Sequence, residues 1–206
     1  DQRFEEHHGI DWQSMLRAAG QLASAGRVIS GGSTLTMQVA RLIEQEPTRN
    51  LWAKVRQMVH ADALEQQLSK EDILTLYLML APYGGNIEGI RAATLAYFGK
   101  EPARLTTAEA ALLVALPQSP EARRPDRDPA VARASRDLVL DRMVGEGVIG
   151  AEEAEAAKRE PIPTGRRGFP MLAAHLAEGG VGGRAEAREI ELTIDARLQG
   201  ALETLA

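Results

Sequence analysis

The 206-residue sequence predicts an all-α chain, on three observations. Alanine and leucine abound while aromatic residues make up only 4%, a composition that favours helix over sheet. In successive segments apolar residues recur three and four positions apart, the period of a helix that buries one face. Residues able to cap a helix stand just ahead of several of those segments.

Asp11 is placed to cap a first helix whose apolar positions are Trp12, Met15, Leu16, Ala19 and Leu22; Gly26 and the Gly31-Gly32 pair end it. A second helix is expected from Thr36 to about Ile43, stopped by Pro47. Leu51 to Leu68 reads as a long amphipathic helix with Leu51, Val55, Met58, Val59 and Ala63 lining one face. Ser69-Lys70-Glu71-Asp72 has the form of a capping box and opens the apolar helix Ile73 to Leu80. Asn86 can cap the helix that reaches Phe98, and Thr106 with Glu109 caps Ala108 to Leu116. Pro117, Pro120, Pro125 and Pro129 make the next stretch irregular; helices follow from Val131 to about Glu146 and from Ala151 to Arg159. After Pro161 glycine-rich segments such as "EGGVGGR" read as a linker, "EIELTID" as a short strand, and Ala196 to Ala206 as the start of another helix.

The totals exclude several kinds of protein. With no cysteine there is neither a disulfide nor a thiolate metal site. A net charge of −5 argues against a general nucleic-acid binder, whose footprint is basic. No apolar run approaches the roughly 20 residues needed to span a bilayer. The chain opens on a charged, histidine-bearing stretch without Met, as expected of a piece of something longer.

Ligand-type residues are sparse. His7 and His8 are adjacent, so on a helix they would point about 100° apart and not chelate one ion. His60 and His175 stand alone. The stretch "SGGSTLTMQVARL", Ser30 to Leu42, is richer in chemistry. Gly31 and Gly32 permit close backbone approach, and Ser33, Thr34 and Thr36 carry hydroxyls. The helix that follows begins with free N–H groups and the positive end of its dipole. Gln38 and Arg41 share a helix face, and Lys54 and Arg56 add positive charge beside Gln57. Two readings stand: a capped helix after a flexible loop, which spacing alone favours because caps are common, or a phosphate site.

Five ordered motifs weigh against the plainer reading. Asp1, Phe4, His7 and Gly9 fit E-D-x-x-F-x-x-H-x-G from its second position. "GGSTLTMQ" fits G-x-S-T-x-T-Q-Q with Met37 for the first glutamine. "AKVRQ" and "ADALE" fit R-K-x-x-E and a later A-x-x-x-E, with Ala53 for the arginine and Gln57 for the glutamate. "LYLMLAPYGGNIEGIRAATLAYFGK" and "AALLVALPQSP" supply the fourth and fifth, with Met79 where the motif has asparagine. Together they resemble the glycosyltransferase domain of the bifunctional class A penicillin-binding proteins, glycosyltransferase family 51. "LAPYGG", "PQSPEARRPDR" and Gln57 look most like its 1C subgroup.

The resemblance implies a lysozyme-like fold with two helical lobes around a cleft, occupying residues 1–160. Residues 161–206 would then be a linker, with a short strand, towards a transpeptidase domain in cis. The implied reaction polymerises lipid II, joining the strand's terminal N-acetylmuramic acid to the 4-hydroxyl of lipid II's N-acetylglucosamine with inversion and loss of undecaprenyl diphosphate. The resemblance gives catalytic positions to Asp1 and Gln57, and substrate-binding positions to Phe4, His7, Gly32, Ser33, Thr34, Thr36, Gln38, Arg41 and Lys54. Arg41 and Lys54 would face the departing diphosphate. The family's general-base glutamate aligns immediately ahead of Asp1, so the sequence as given is expected to be inactive. Mg²⁺ or Mn²⁺ at the diphosphate is a family trait, weakened here by Gln57 because a neutral amide is a poorer ligand. Lipid II and the growing strand are the implied partners, with no nucleic acid, at the periplasmic face of the inner membrane. Val28, Ile29, Leu51 and Trp52 would dip into that membrane surface. The arginines between Arg123 and Arg136, mixed with acids, read as a solvated face. The rivals are a strand-binding module without turnover and a lysozyme-like hydrolase, for which Glu5 or Glu6 would be one of two required acids.

Overall fold

The computed structural model describes residues 1, 3–25, 32–44, 51–169 and 195. The chain divides into two units, Asp1–Arg167 and Gly168–Ala206. The expected strand, apart from Asp195, and the expected helix from Ala196 lie outside the described residues.

The described part of the first unit is helical, with two isolated bridges and no sheet. Its helices are α1 (Trp12–Ala25), α2 (Leu35–Glu44), α3 (Leu51–Gln67), α4 (Lys70–Leu80), α5 (Ile90–Phe98), α6 (Thr107–Ala115), α7 (Pro129–Gly145) and α8 (Ala151–Arg159), with 3₁₀ turns at Pro102–Arg104 and Leu116–Gln118. The starts follow local chemistry. The Asp11 carboxylate accepts from the Ser14 N–H at 3.0 Å, and both Ser69/Asp72 and Thr106/Glu109 close as capping boxes. Asp128 caps α7 with Pro129 as its first residue. Asn86 does not cap α5, which starts after Gly89.

Helix contacts sort into two groups. α2 packs on α3 and α4; α6 packs on α7, α8 and α5; α4 touches α5 and bridges them. Phe4, Val39 and Ile73 form the core of the first group. Tyr83, Tyr97, Leu112, Leu113 and Leu116 fill the second, with Ala108, Leu140 and Ala154 as a further cluster under α8. Residues 161–167 stay with the second group. Ile162 enters its core, the Arg167 N–H donates to the Ala96 carbonyl at 2.7 Å, and Arg166 lies over the Tyr97 ring.

On α3 the apolar spacing does not mark the residues that the fold buries most. α3 buries Gln57 and Ala61 while Val55 and Val59 stay exposed. On α1, Ala18 is buried, and Trp12 and Leu16 are exposed. Small inward residues are what close approach demands. A Cβ on Gly9, whose φ is +67°, would lie 2.9 Å from the Ala61 carbonyl carbon, and one on Gly32 would lie 3.3 Å from the Met15 Cα. The arginine-rich stretch also departs from a solvated face, because Arg136 is buried with 1% exposure. No helix among the described residues is long and apolar enough to cross a membrane.

Candidate active site

A cleft of about 280 Å³ is lined by Ser33, Met37, Gln38, Arg41, Lys54, Gln57, Pro117 and Gln118. Helical spacing assembles one wall. Met37, Gln38 and Arg41 come from successive turns of α2, and Lys54 and Gln57 are three apart on α3, which packs against α2. The 3₁₀ turn Leu116–Gln118 brings Pro117 and Gln118 to the same space. The Lys54 ammonium donates to the Ser33 hydroxyl. Burial, and then the nearby Arg41 guanidinium, hold the Lys54 pKa below its ordinary 10.5. Gln57 is 4% exposed. The lining therefore carries two cations, hydroxyl and amide groups, and no carboxylate.

Behind the cleft lies a buried polar layer that joins the N-terminal segment to α2, α3 and α4. The Asp1 carboxylate accepts from the Leu35 N–H, the first of α2, at 2.8 Å. The same oxygen accepts from His7 Nε2 at 2.9 Å. Thr34 caps α2: its hydroxyl accepts from the Met37 N–H at 3.1 Å and donates to the Gly9 carbonyl at 2.6 Å. The Thr36 hydroxyl donates to Glu65 at 2.6 Å. Glu65 also takes a bond from Lys70 at 2.7 Å and from the Gly9 N–H. The Lys70 ammonium reaches the His7 carbonyl at 2.5 Å and sits 4.7 Å above the Phe4 ring. Burial would raise the Glu65 pKa, but the bonds from Lys70, Thr36 and Gly9 outweigh it and hold the carboxyl below 4.5. His7 is held below 6.5 by burial and then by Lys70, against the pull of Glu65 and Asp11.

The structure thus divides the expected site residues. Ser33, Gln38, Arg41, Lys54 and Gln57 meet in the cleft. Asp1, Phe4, His7, Thr34 and Thr36 lie in the layer behind it, their contacts made within the protein. Gly32 passes against α1. The start of α2 is not a free anion cradle: its Leu35 and Met37 N–H groups are taken by Asp1 and Thr34. An anion here meets side chains instead.

The transglycosylase family pattern matches residues 1–144. The chain belongs to the transglycosylase family. It is 48% identical to penicillin-binding protein 1C of Escherichia coli K12 across all 206 residues, which is 26% of that protein's length. It is 37% identical to penicillin-binding protein 1A of Pseudomonas aeruginosa over 162 residues, 79% of this chain and 20% of that one. Penicillin-binding protein 1A of Aquifex aeolicus is 39% identical over 162 residues, 79% of this chain and 22% of that protein. The chain thus spans about a quarter or less of these relatives. Among solved structures, penicillin-binding protein 1A from Haemophilus influenzae aligns at a TM-score of 0.41 and 23% identity, covering 73% of this chain and 20% of its own.

For a transglycosylase, Glu65, Lys70, Pro117 and Gln118 are the residues that sequence reasoning passed over as site-forming. Glu65 closes "ADALE", and Pro117 and Gln118 stand in the fifth motif, so these three had a signal, whereas Lys70 stood only in a capping box. Arg56 turns the other way, its Nε 3.8 Å from Glu44, which also contacts His60. A divalent ion does not fit the cleft. Mg²⁺ and Mn²⁺ call for hard anionic oxygens, and this lining offers neutral oxygens beside two cations. Among the described residues no group of three or more His, Cys, Asp or Glu is arranged to hold a metal. Val28 and Ile29 lie outside the described residues, while Trp52 is 81% exposed.

Proposed function

We propose that this chain is a peptidoglycan glycosyltransferase domain that extends glycan strands from lipid II, with the Arg41–Lys54 cleft receiving the lipid-linked diphosphate. One observation carries the reading: Ser33, Gln38, Arg41 and Lys54, from two helices and the loop before them, converge on a single cleft without a carboxylate. A departing diphosphate gains negative charge as its bond to the sugar breaks, and fixed cations in a half-buried cleft stabilise that charge.

In this reading the 4-hydroxyl of the acceptor sugar gives its proton to the family's glutamate, which aligns one position ahead of Asp1. The hydroxyl oxygen then attacks the anomeric carbon of the strand's terminal N-acetylmuramic acid from the face opposite the diphosphate. The carbon–oxygen bond to the diphosphate breaks, its electron pair leaves with undecaprenyl diphosphate, and the configuration inverts. Asp1 and His7 serve as positioning residues. They tie the segment bearing the base to the start of the helix that carries Gln38 and Arg41. The exposed Trp52, Val55 and Val59 of α3 supply apolar surface suited to a bilayer interface, where the lipid carrier resides. The lipid-bound strand, the periplasmic membrane face and a transpeptidase domain in the same polypeptide complete the proposal.

The test is polymer formation from lipid II by a longer chain that includes the upstream glutamate. Glycan strands should form, and Arg41→Ala and Lys54→Ala should each lower the rate at least about a hundredfold. Shortening of added glycan would select a hydrolase, which needs a carboxylate pair that this cleft lining does not provide. Lipid II binding without turnover would select the strand-binding module, the reading favoured by Gln57 where the family has an acid.

A further inference from the structure

We infer that the cleft takes its diphosphate bare, without a divalent ion, and that Gln57, neutral where the family has a carboxylate, sets this preference. The inference rests on the proposed function, because it concerns the ionic form of the ligand at that same site.

Charge balance favours the bare anion. A diphosphate esterified at both ends carries two negative charges, and Arg41 and Lys54 bring two positive ones. A bare diphosphate is therefore matched by this chain's own side chains. A metal–diphosphate complex is neutral, gains little from the two cations, and would hold its metal against them in a half-buried space, where like charges repel strongly.

Ligand chemistry points the same way. Gln57 lies on the same face of α3 as Lys54, within the cleft, and is buried. A carboxylate there would pair with Lys54, drain its charge and offer a hard oxygen to a metal; an amide does neither. The partner Lys54 does have is the Ser33 hydroxyl, a neutral group, so its charge remains available to an anion. Acids on or beside the helices that wall the cleft are engaged elsewhere, Glu44 with Arg56 and His60. Glu65 serves Thr36 and Lys70, and Asp1 serves Leu35 and His7.

The experiment is calorimetric titration of this chain with inorganic pyrophosphate, in EDTA and again with excess Mg²⁺. The wild type should bind in EDTA, and Mg²⁺ should weaken binding by about threefold or more, because it cancels two of the charges that free pyrophosphate offers to Arg41 and Lys54. Gln57→Glu should reverse the sign, with affinity in EDTA falling about tenfold and Mg²⁺ restoring it. Gln57→Leu, neutral and without a ligand oxygen, should keep the wild-type direction, with Mg²⁺ weakening whatever affinity it shows in EDTA. Stronger wild-type binding with Mg²⁺ overturns the inference and leaves the diphosphate reading intact. No binding in either buffer overturns both. A Gln57→Glu protein that folds, by circular dichroism, yet keeps the wild-type response to Mg²⁺ removes Gln57 from the argument.

Discussion

Around α6, α7 and α8 the interior is apolar, and the charge admitted to it is one guanidinium. Arg136 donates to the carbonyls of Lys158 and Glu160 at 2.7 Å each and so closes the end of α8. Around α2, α3 and α4 the core is small, and the N-terminal segment is tied down by Asp1, Thr34, Thr36, Glu65 and Lys70. The first arrangement anchors a helix end that contributes no residue to the Arg41–Lys54 cleft. The second fixes the orientation of a segment that lies directly behind one. Apolar packing is nondirectional and tolerates small shifts, whereas hydrogen bonds specify position. A region that must hold a reacting group in register has reason to use the second kind.

The largest effect should come from the first arrangement. Arg136→Ala removes a buried guanidinium and leaves two helix-end carbonyls without donors, at a cost of about 4 kcal/mol. Urea unfolding measures it, and a loss below about 1 kcal/mol would show that water replaces the clamp. Pyrophosphate affinity of the folded protein should not change. Next comes Gly9→Ala, at about 3 kcal/mol, since the new Cβ meets the Ala61 backbone at 2.9 Å in a left-handed conformation. This substitution should also lower polymerisation in the longer chain, because it moves the segment that the polar layer holds.

The structural contrast was only partly legible in the sequence, and the reason is range. Capping boxes at Ser69 and Thr106 close within four residues, so spacing reveals them. Gln38 and Arg41 share a face for the same local reason. Thr36 and Glu65 are 29 positions apart, and nothing in either neighbourhood announces the pairing. Pro117 and Gln118 reach the cleft through tertiary folding alone. On α3 the periodicity itself misled: Val55 and Val59 are regularly spaced and exposed, because the inward face must stay small beside Gly9 and polar beside the cleft. Periodicity identifies an amphipathic helix without saying which face the protein covers.

Glu65→Gln keeps the shape of the polar layer and removes its charge, at a cost of about 2 kcal/mol near neutral pH. The sign with pH follows from the Glu65 pKa, held below 4.5 in the folded chain. In the wild type this contribution is fully present above 4.5 and is lost as the pH falls through the lower, folded value. The gap in unfolding free energy between wild type and variant should stay level from pH 7 to about 5 and narrow below that. A gap that widens in acid would place the stabilising form of Glu65 on the protonated side.

The smallest effect decides what Thr34 does. As a helix cap its hydroxyl serves the Met37 N–H and the Gly9 carbonyl, and the residue is 2% exposed. Thr34→Val should therefore cost about 1 kcal/mol, and Thr34→Ser, which keeps the oxygen, much less. Pyrophosphate affinity should change by less than about twofold in both, since a cap acts on the helix and not on the anion. Should Thr34→Val lose pyrophosphate tenfold while Thr34→Ser retains it, the hydroxyl would belong to the cleft. The polar layer would then be part of the binding surface, and the division between a holding layer and a working cleft would have to be redrawn at that residue.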